Sequence, residues 1–198
     1  TEAPRDGPAV FVGRLVPTKG LRVLVEAVAR APGVDVVVVG EGPERRRLER
    51  LARARGVSDR VRFAGAVPDD ARQALLARAR FVVHPALQEA LGLAVAEAMR
   101  QGCPIVATTA GGIPDVTGDA ARLVPPGDAE ALARAMVELW SDPALARRLG
   151  ERARRRAQDF SWPRYVAATL RVYERACASD GRDAPAARAP LRYARSSR

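Results

Sequence analysis

The sequence predicts an α/β fold built on a doubly wound, six-stranded parallel sheet. Short runs rich in β-branched residues alternate with stretches rich in Ala, Leu and Arg, which is the pattern of strands joined by crossover helices. One run, residues 34–39, holds five valines, and such nearly continuous apolar strands are typical of a parallel sheet buried on both faces. Six strands of this kind fit most simply in the order 3-2-1-4-5-6.

The elements follow in order along the chain. The predicted strands are residues 9–12, 34–39, 61–63, 81–83, 105–107 and 122–124, each a short β-branched or aromatic run. The predicted helices are residues 20–31, 44–55, 70–79, 91–100, 129–140, 143–157 and 162–177, each rich in Ala, Leu and Arg. The first helix shows the helical period most clearly, because its apolar residues recur at three- and four-residue spacing: Leu21, Leu24, Val25 and Val28.

Three segments of the chain are expected to differ in their role. We expect residues 1–8 to be the remnant of a linker and residues 9–177 to form one domain. Residues 178–198 are rich in Ala, Arg, Ser and Pro and poor in large apolar side chains, so we expect a disordered tail there.

Composition excludes several classes of protein. Of 198 residues, 47% are hydrophobic and 28% charged, which excludes a wholly disordered chain, a collagen and a small disulfide scaffold. Cys103 and Cys177 lie in no CxxC or Cys/His spacing, so neither a disulfide framework nor a zinc site is predicted. No apolar run approaches the roughly 18 residues of a membrane-spanning helix. With no segment like a signal peptide, we expect a cytoplasmic protein.

The net charge is +10, from 33 basic and 23 acidic residues. Most of the excess falls in residues 45–62, 141–160 and 176–198, where solvated helix faces and a loose tail account for it. Peripheral contact with the inner face of an anionic membrane, or an anionic substrate, stays open as an alternative. Nucleic acid as a partner is disfavoured, because the few aromatic residues do not interleave with the arginines. Lys19 is the only lysine, which indicates a specific need for an ammonium there.

The predicted strand order places a topological switch point between strands 1 and 4. Ligands bind outside the carboxyl ends of the strands at such a point, so the loops after Val12 and Val83 are the candidates for chemistry. The loop after strand 1 carries Arg14 and Lys19 between Gly13 and the start of a helix. Two cations beside a helix amino terminus form a good receptor for a diphosphate.

The loop after strand 4 carries two carboxylates eight residues apart. Glu89 lies in the loop and Glu97 lies inside the following helix, on a mostly apolar strip where we expect partly buried surroundings. A carboxylate accepts paired hydrogen bonds from vicinal hydroxyls, so the two suit a ribose and a sugar. The backbone amides around Gly92 and Leu93 open the same helix and suit a phosphate.

Three further features of the sequence stay less specific. Gly111 and Gly112, after strand 5, let backbone approach a ligand closely, and Gly65 after strand 3 is expected to expose backbone at the pocket rim. His84 is the only histidine, so a catalytic Ser/His/Asp triad has no support, and a structural role and a sugar contact both stay open. The segment 40–43 is no dinucleotide fingerprint, because Arg45 stands at the third glycine position.

Taken together, these motifs resemble the carboxy-terminal half of the family 4 retaining glycosyltransferases (group 1, GT-B fold). The resemblance covers about residues 9–176, in the right order, and implies a Rossmann-like domain that binds the donor. It is carried by the loop 13–20, the Glu89-x7-Glu97 pair, and the segments 102–108 and 111–115.

The resemblance also implies a role for each candidate residue. Arg14 and Lys19 would bind the donor diphosphate and, with Glu89 on the donor sugar, make up the catalytic set; Glu97 would hold the nucleotide ribose. Phe63, Gly65 and Val67 would border the base. The remaining donor-binding residues would be Gly13, His84, and the amides of Gly92 and Leu93. These enzymes need no metal for transfer, and their co-substrate is a UDP-, GDP- or ADP-sugar. The cations stabilise the departing nucleoside diphosphate.

The chain departs from the family in two respects. The family usually has Glu-Gly-Phe-Gly at the first carboxylate, whereas this chain has Glu89-Ala90-Leu91-Gly92, which adds a methyl group where the backbone passes the sugar. Such enzymes also have an amino-terminal acceptor domain of similar size, on which helix 162–177 would pack.

We therefore expect the isolated chain to bind nucleotide and to transfer sugar weakly or not at all. The alternatives are a GT-B nucleotide-sugar epimerase and a non-catalytic module that binds nucleotide sugars.

Overall fold

The computed structural model describes residues 5–160 and 162–179. Six strands form one sheet, all pairs are parallel, and the strand order is β3-β2-β1-β4-β5-β6, which confirms the predicted topology. The strands are β1 (Ala9–Val12), β2 (Val36–Val39), β3 (Val61–Gly65), β4 (Val82–His84), β5 (Ile105–Thr108) and β6 (Ala121–Val124).

The α-helices connect the strands as crossovers or follow the last of them. In chain order they are α1 (Leu21–Arg30), α2 (Arg45–Ala54), α3 (Asp69–Arg78), α4 (Leu93–Arg100), α5 (Ile113–Thr117), α6 (Ala129–Ser141), α7 (Pro143–Ala157) and α8 (Trp162–Ser179). Single 3₁₀ turns cover Pro17–Lys19 and Gln158–Phe160.

The sheet separates two apolar layers. Strand β2 shows why, since Val36 and Val38 pack into the layer with α1, α2 and α6, whereas Val37 and Val39 pack into the layer with α3, α4 and α5. Successive side chains of a strand point to opposite faces of the sheet, so a strand of four valines contributes apolar side chains to both layers. Helices therefore cover both faces of the sheet.

Two helix boundaries near the switch point differ from the sequence prediction. Helix α4 begins at Leu93 rather than at residue 91, because Gly92 caps it with a φ of 85°, a left-handed conformation that glycine adopts without steric cost. Helix α5 is absent from the predicted elements, because its five residues follow a glycine pair and contain Pro114. Proline is well tolerated in a first helical turn, where its missing N–H leaves no hydrogen bond unmade.

The chain divides into two compact units, Thr1–Asp159 and Phe160–Arg198. Of the described residues, the second unit contains mainly α8, which extends to Ser179 and leaves Val166, Leu170, Val172 and Tyr173 exposed. Residues 1–4 of the expected linker and residues 180–198 of the expected tail lie outside the described residues. Within the described part of the chain, no helix combines the length and the apolar character that a membrane crossing requires.

Candidate functional site

The loops after β1 and β4 are joined to each other at the carboxyl end of the sheet. The backbone N–H groups of Leu87 and Gln88 donate to the carbonyl oxygen of Thr18, at 2.8 and 3.2 Å. Gly20 has a φ of 68°, and a Cβ there would overlap the carbonyl oxygen of Pro85. This close backbone approach brings the ends of β1 and β4 together at the predicted switch point.

Glu89 is the centre of the site. Lys19 Nζ lies 2.6 Å and His84 Nε2 lies 2.8 Å from the same oxygen, Glu89 Oε2, while the backbone N–H of Ala90 donates to Oε1 at 3.2 Å. The Glu89 side chain is only 11% exposed and that of Lys19 is 19% exposed. The fold thus brings two other predicted site residues, Lys19 and His84, to the carboxylate of Glu89.

The surroundings determine the charge state of these groups. Burial acts to raise the pKa of Glu89, but hydrogen bonds from Lys19 and His84 outweigh it, so the pKa lies below its ordinary value. Burial lowers the pKa of His84, and the neighbouring Glu89 opposes this only in part. At neutral pH the site therefore holds an ionised carboxylate at Glu89 and a neutral imidazole at His84.

The titration of His84 predicts a pH dependence of stability. An unfolded chain takes up a proton at His84 as the pH falls through about 6.5, whereas the folded protein takes it up only at lower pH. Stability is therefore lost as the pH falls below that value, by at most about 1.4 kcal/mol per pH unit. Glu89 does not contribute to this loss of stability, because its pKa is lowered in the folded protein and the stability that it provides is lost only at a lower pH.

This is tested by urea unfolding at pH 7.5, 6.5 and 5.5, with wild type compared with His84→Gln. We expect the wild type to lose more unfolding free energy than the variant between pH 6.5 and 5.5, whatever their absolute difference at pH 7.5. Parallel curves would contradict a lowered pKa at His84.

Glu97 lies in a different cluster. It pairs with Arg72 of α3, which also pairs with Asp69, and its side chain is 47% exposed. The expectation that Glu97 faces partly buried surroundings is therefore wrong. Helix α4 buries Val95, Ala98 and Met99, and the rotation of about 100° per residue in a helix turns Glu97 away from that face.

Arg14 and the amino terminus of α4 are both open to solvent. The Arg14 side chain is exposed and, among the described residues, makes no hydrogen bond or ion pair. Helix α4 has no side-chain cap, and the first N–H groups of a helix have no partner within it. Leu93 is largely exposed, and Gly92 is buried beside it. The Arg14 guanidinium is therefore accessible to an anion.

The glycine pair after β5 approaches protein backbone. A Cβ on Gly111 would overlap the carbonyl oxygen of Glu89, and a Cβ on Gly112 would lie 2.6 Å from the carbonyl oxygen of Ala90. The N–H of Gly112 donates to that same Ala90 oxygen at 3.1 Å. From the sequence, these glycines are expected to let the backbone approach a ligand. In the structure they pack closely against the loop that carries Glu89.

An ion pair lies against the region that the sequence predicts to border a base. Arg45 binds Glu41 at 2.6 Å and donates to the carbonyl oxygen of Phe63, and the Glu41 carboxylate lies against Gly65. Gly65 is buried, which differs from the expected exposed rim. Phe63 and Val67 are partly buried and pack against opposite layers of the core.

Sequence analysis missed several residues that support the site. Thr108, at the end of β5, is buried and donates its hydroxyl to the carbonyl oxygen of Ala86 at 2.6 Å. A polar side chain ending an apolar strand is a readable signal for such a contact. Thr18 and Arg72 offered no signal, because the backbone of Thr18 forms its contacts and Arg72 meets Glu97 only through the packing of α3 and α4.

Known proteins are similar to this chain in sequence and in architecture. The sequence profile of the family described as glycosyl transferases group 1 matches residues 3–156. The MMP alpha-(1->4)-mannosyltransferase of Mycolicibacterium hassiacum is 39% identical over 170 residues, which cover 82% of this chain and 41% of that protein. The chain therefore spans less than half the length of that relative.

Two solved structures extend the comparison. The sucrose-phosphate synthase of Thermosynechococcus elongatus superposes with a TM-score of 0.76 at 36% identity, covering 89% of this chain and 47% of that one. Anabaena Alr3699/HepE, solved in complex with UDP, superposes with a TM-score of 0.75 at 27% identity, covering 85% of this chain and 50% of that one. The match to proteins of GT-B architecture confirms the predicted fold class.

Proposed function

The chain belongs to the family of glycosyl transferases group 1, and on this premise we propose that it is the donor-binding half of a retaining glycosyltransferase. The whole enzyme transfers a hexosyl group from a nucleotide-diphosphate sugar to an acceptor. The observation that carries the proposal is the contact of Lys19 with Glu89 at 2.6 Å, at the switch point. It joins a cation suited to a diphosphate to a carboxylate suited to sugar hydroxyls.

The diphosphate is assigned to Arg14, Lys19 and the amino terminus of α4. Arg14 is exposed and has no partner among the described side chains, so its guanidinium is available to a phosphate. The amides that follow Gly92 add partial positive charge at the start of the helix. Cations held in place before the reaction stabilise the negative charge that develops on the departing nucleoside diphosphate.

The sugar and the ribose are assigned to the two carboxylates. Glu89 is ionised and accepts hydrogen bonds only, so it orients a sugar through its hydroxyl groups. Glu97 is exposed on α4, where its carboxylate is accessible to the ribose diol while Arg72 holds it from the other side. Phe63, Gly65 and Val67 are assigned to the surroundings of the base, and Gly13 to the donor-binding loop after β1.

The rest of the enzyme is assigned to a separate acceptor domain. The chain covers between 35% and 47% of the relatives at 34% identity or more, which leaves room for a domain of similar size. The exposed apolar residues of α8, such as Leu170 and Val172, fit burial against that domain. The isolated chain is expected to bind donor nucleotide without efficient transfer. A cytoplasmic location, at or near the inner face of the membrane, completes the proposal.

Calorimetric titration of this chain with UDP, GDP and ADP tests the proposal. We expect one of the three to bind with a dissociation constant below about 1 mM, which corresponds to about −4 kcal/mol. Arg148→Ala serves as the control, since it removes one exposed charge from α7 and should bind equally well. Absence of binding by all three at millimolar concentration would refute a donor site.

A further inference from the structure

We propose that His84 is a positioning residue that holds Glu89 toward the donor sugar while Lys19 turns to the diphosphate. The proposal rests on the proposed function and deepens it. It starts from the geometry of a single oxygen, Glu89 Oε2, which lies within hydrogen-bond distance of both Lys19 Nζ and His84 Nε2.

The two donors differ in how freely they can leave Glu89. Lys19 has a flexible four-carbon stem, is partly exposed, and is the last residue of a single 3₁₀ turn, so its ammonium can reach a neighbouring anion. His84 ends β4, is 2% exposed, and lies nearly parallel to the buried ring of Phe11, with a centroid distance of 6.1 Å and an interplanar angle of 13°. The imidazole is therefore held in place when Lys19 moves.

The hydrogen bond defines the tautomer of His84. Glu89 is an ionised acceptor, so the neutral imidazole must carry its proton on Nε2 to bind it. With this proton directed at Oε2 and the ring almost fully buried, His84 has no exposed donor left for a sugar hydroxyl. The alternative of a direct sugar contact, which the sequence left open, is disfavoured by this burial.

The backbone under Glu89 is fixed independently of His84. The loop is held by Thr18, by the hydroxyl of Thr108, and by the close approach of Gly111. Only the rotation of the Glu89 side chain then remains to be set. His84 restricts that rotation in the absence of Lys19, which is what a carboxylate needs to select one arrangement of sugar hydroxyls.

Calorimetry with matched ligands separates this role from a general structural one. Wild type, His84→Phe and His84→Gln are titrated with UDP and UDP-glucose, GDP and GDP-mannose, and ADP and ADP-glucose. Phenylalanine keeps a ring beside Phe11 but has no N–H, whereas glutamine carries an amide donor that reaches a position like that of Nε2. Thermal unfolding of each variant confirms that it folds.

We expect His84→Phe to bind the nucleoside diphosphate within about twofold of wild type, and to bind the matching nucleotide sugar about tenfold more weakly, as for one lost charge-assisted hydrogen bond. His84→Gln should recover most of that loss. Unchanged affinity of His84→Phe for the nucleotide sugar would overturn the proposal. So would an equal loss for both ligands, because a residue that acts through Glu89 affects only the sugar.

Nuclear magnetic resonance of the imidazole gives a second measurement that needs no ligand. His84 is the only histidine, so its ring nitrogens are observed without assignment against others. We expect the Nε2–H tautomer at pH 7, and a weaker preference for it in Glu89→Gln. A protonated ring or the Nδ1–H tautomer in wild type would overturn the proposal. If wild type binds none of the six ligands, the proposed function fails, and this measurement still tests the contact of His84 with Glu89.

Discussion

Replacing Lys19 with alanine is expected to weaken the binding of a nucleoside diphosphate by about 10- to 100-fold, the effect of losing one hydrogen bond to a charged group. The physical reason is that Lys19 brings the only ammonium of the chain to the switch point, beside the start of α1 and in contact with Glu89. Without it, Glu89 also presents an unopposed negative charge to the phosphates. The measurement is calorimetric titration with the diphosphate that binds wild type most tightly.

Two variants sharpen this test. Lys19→Arg keeps the charge, but a planar guanidinium does not replace a compact ammonium in a confined space, so we expect an intermediate loss. Arg148→Ala removes the same charge from the exposed face of α7 and should leave affinity within about twofold of wild type. If Lys19→Ala and Arg148→Ala bind alike, the diphosphate does not contact Lys19.

The largest effect on stability is expected from Gly111→Ala. A Cβ at this position would overlap the carbonyl oxygen of Glu89, and the φ of 53° is one that side chains other than glycine rarely adopt. We expect a loss of roughly 3 kcal/mol or more in the free energy of unfolding, since a strained backbone and a steric clash combine. The clash is with backbone, which cannot move aside without displacing the loop that holds Glu89.

Gly56→Ala is the matched control for that substitution. Gly56 has a φ of 67°, but no atom lies within 4 Å of the position that a Cβ would take. It therefore measures the left-handed strain alone, which is about 1–2 kcal/mol. The difference between the two variants in urea unfolding isolates the clash. Equal losses would show that the Glu89 loop yields easily, and would weaken the case for a rigid site.

The predicted topology succeeded because it depends on patterns that are local in the chain. The valines of residues 34–39 predict a strand buried on both faces, and the spacing of the apolar residues in α1 predicts which face of that helix is buried. The order of the strands is then the simplest one for a doubly wound parallel sheet. Helix α5 escaped prediction, because a glycine pair followed by a proline is typical of a loop. The sequence predicts a start of α4 two residues too early, because residue type alone does not show that Gly92 adopts a left-handed conformation and caps the helix.

The candidate site shows where such reasoning stops. Lys19 and Glu89 are 70 residues apart, and the sequence placed both at the switch point from the strand order and the family resemblance. The spacing of residues could not show that Lys19 and His84 contact the same oxygen of Glu89, because side-chain contacts depend on loop conformation. Likewise the partner of Glu97, Arg72, lies on another helix, and the glycine pair 111–112 meets the backbone of Glu89 and Ala90.

Local patterns in the chain were thus enough for the fold class and, together with the simplest arrangement of a doubly wound sheet, for the strand order. These features depend on periodicity and residue type, which the sequence displays directly. The charge states, the sharing of Glu89 between Lys19 and His84, and the exposure of Glu97 required the packed structure. They depend on burial and on distances between residues far apart in the chain, and only tertiary packing determines those.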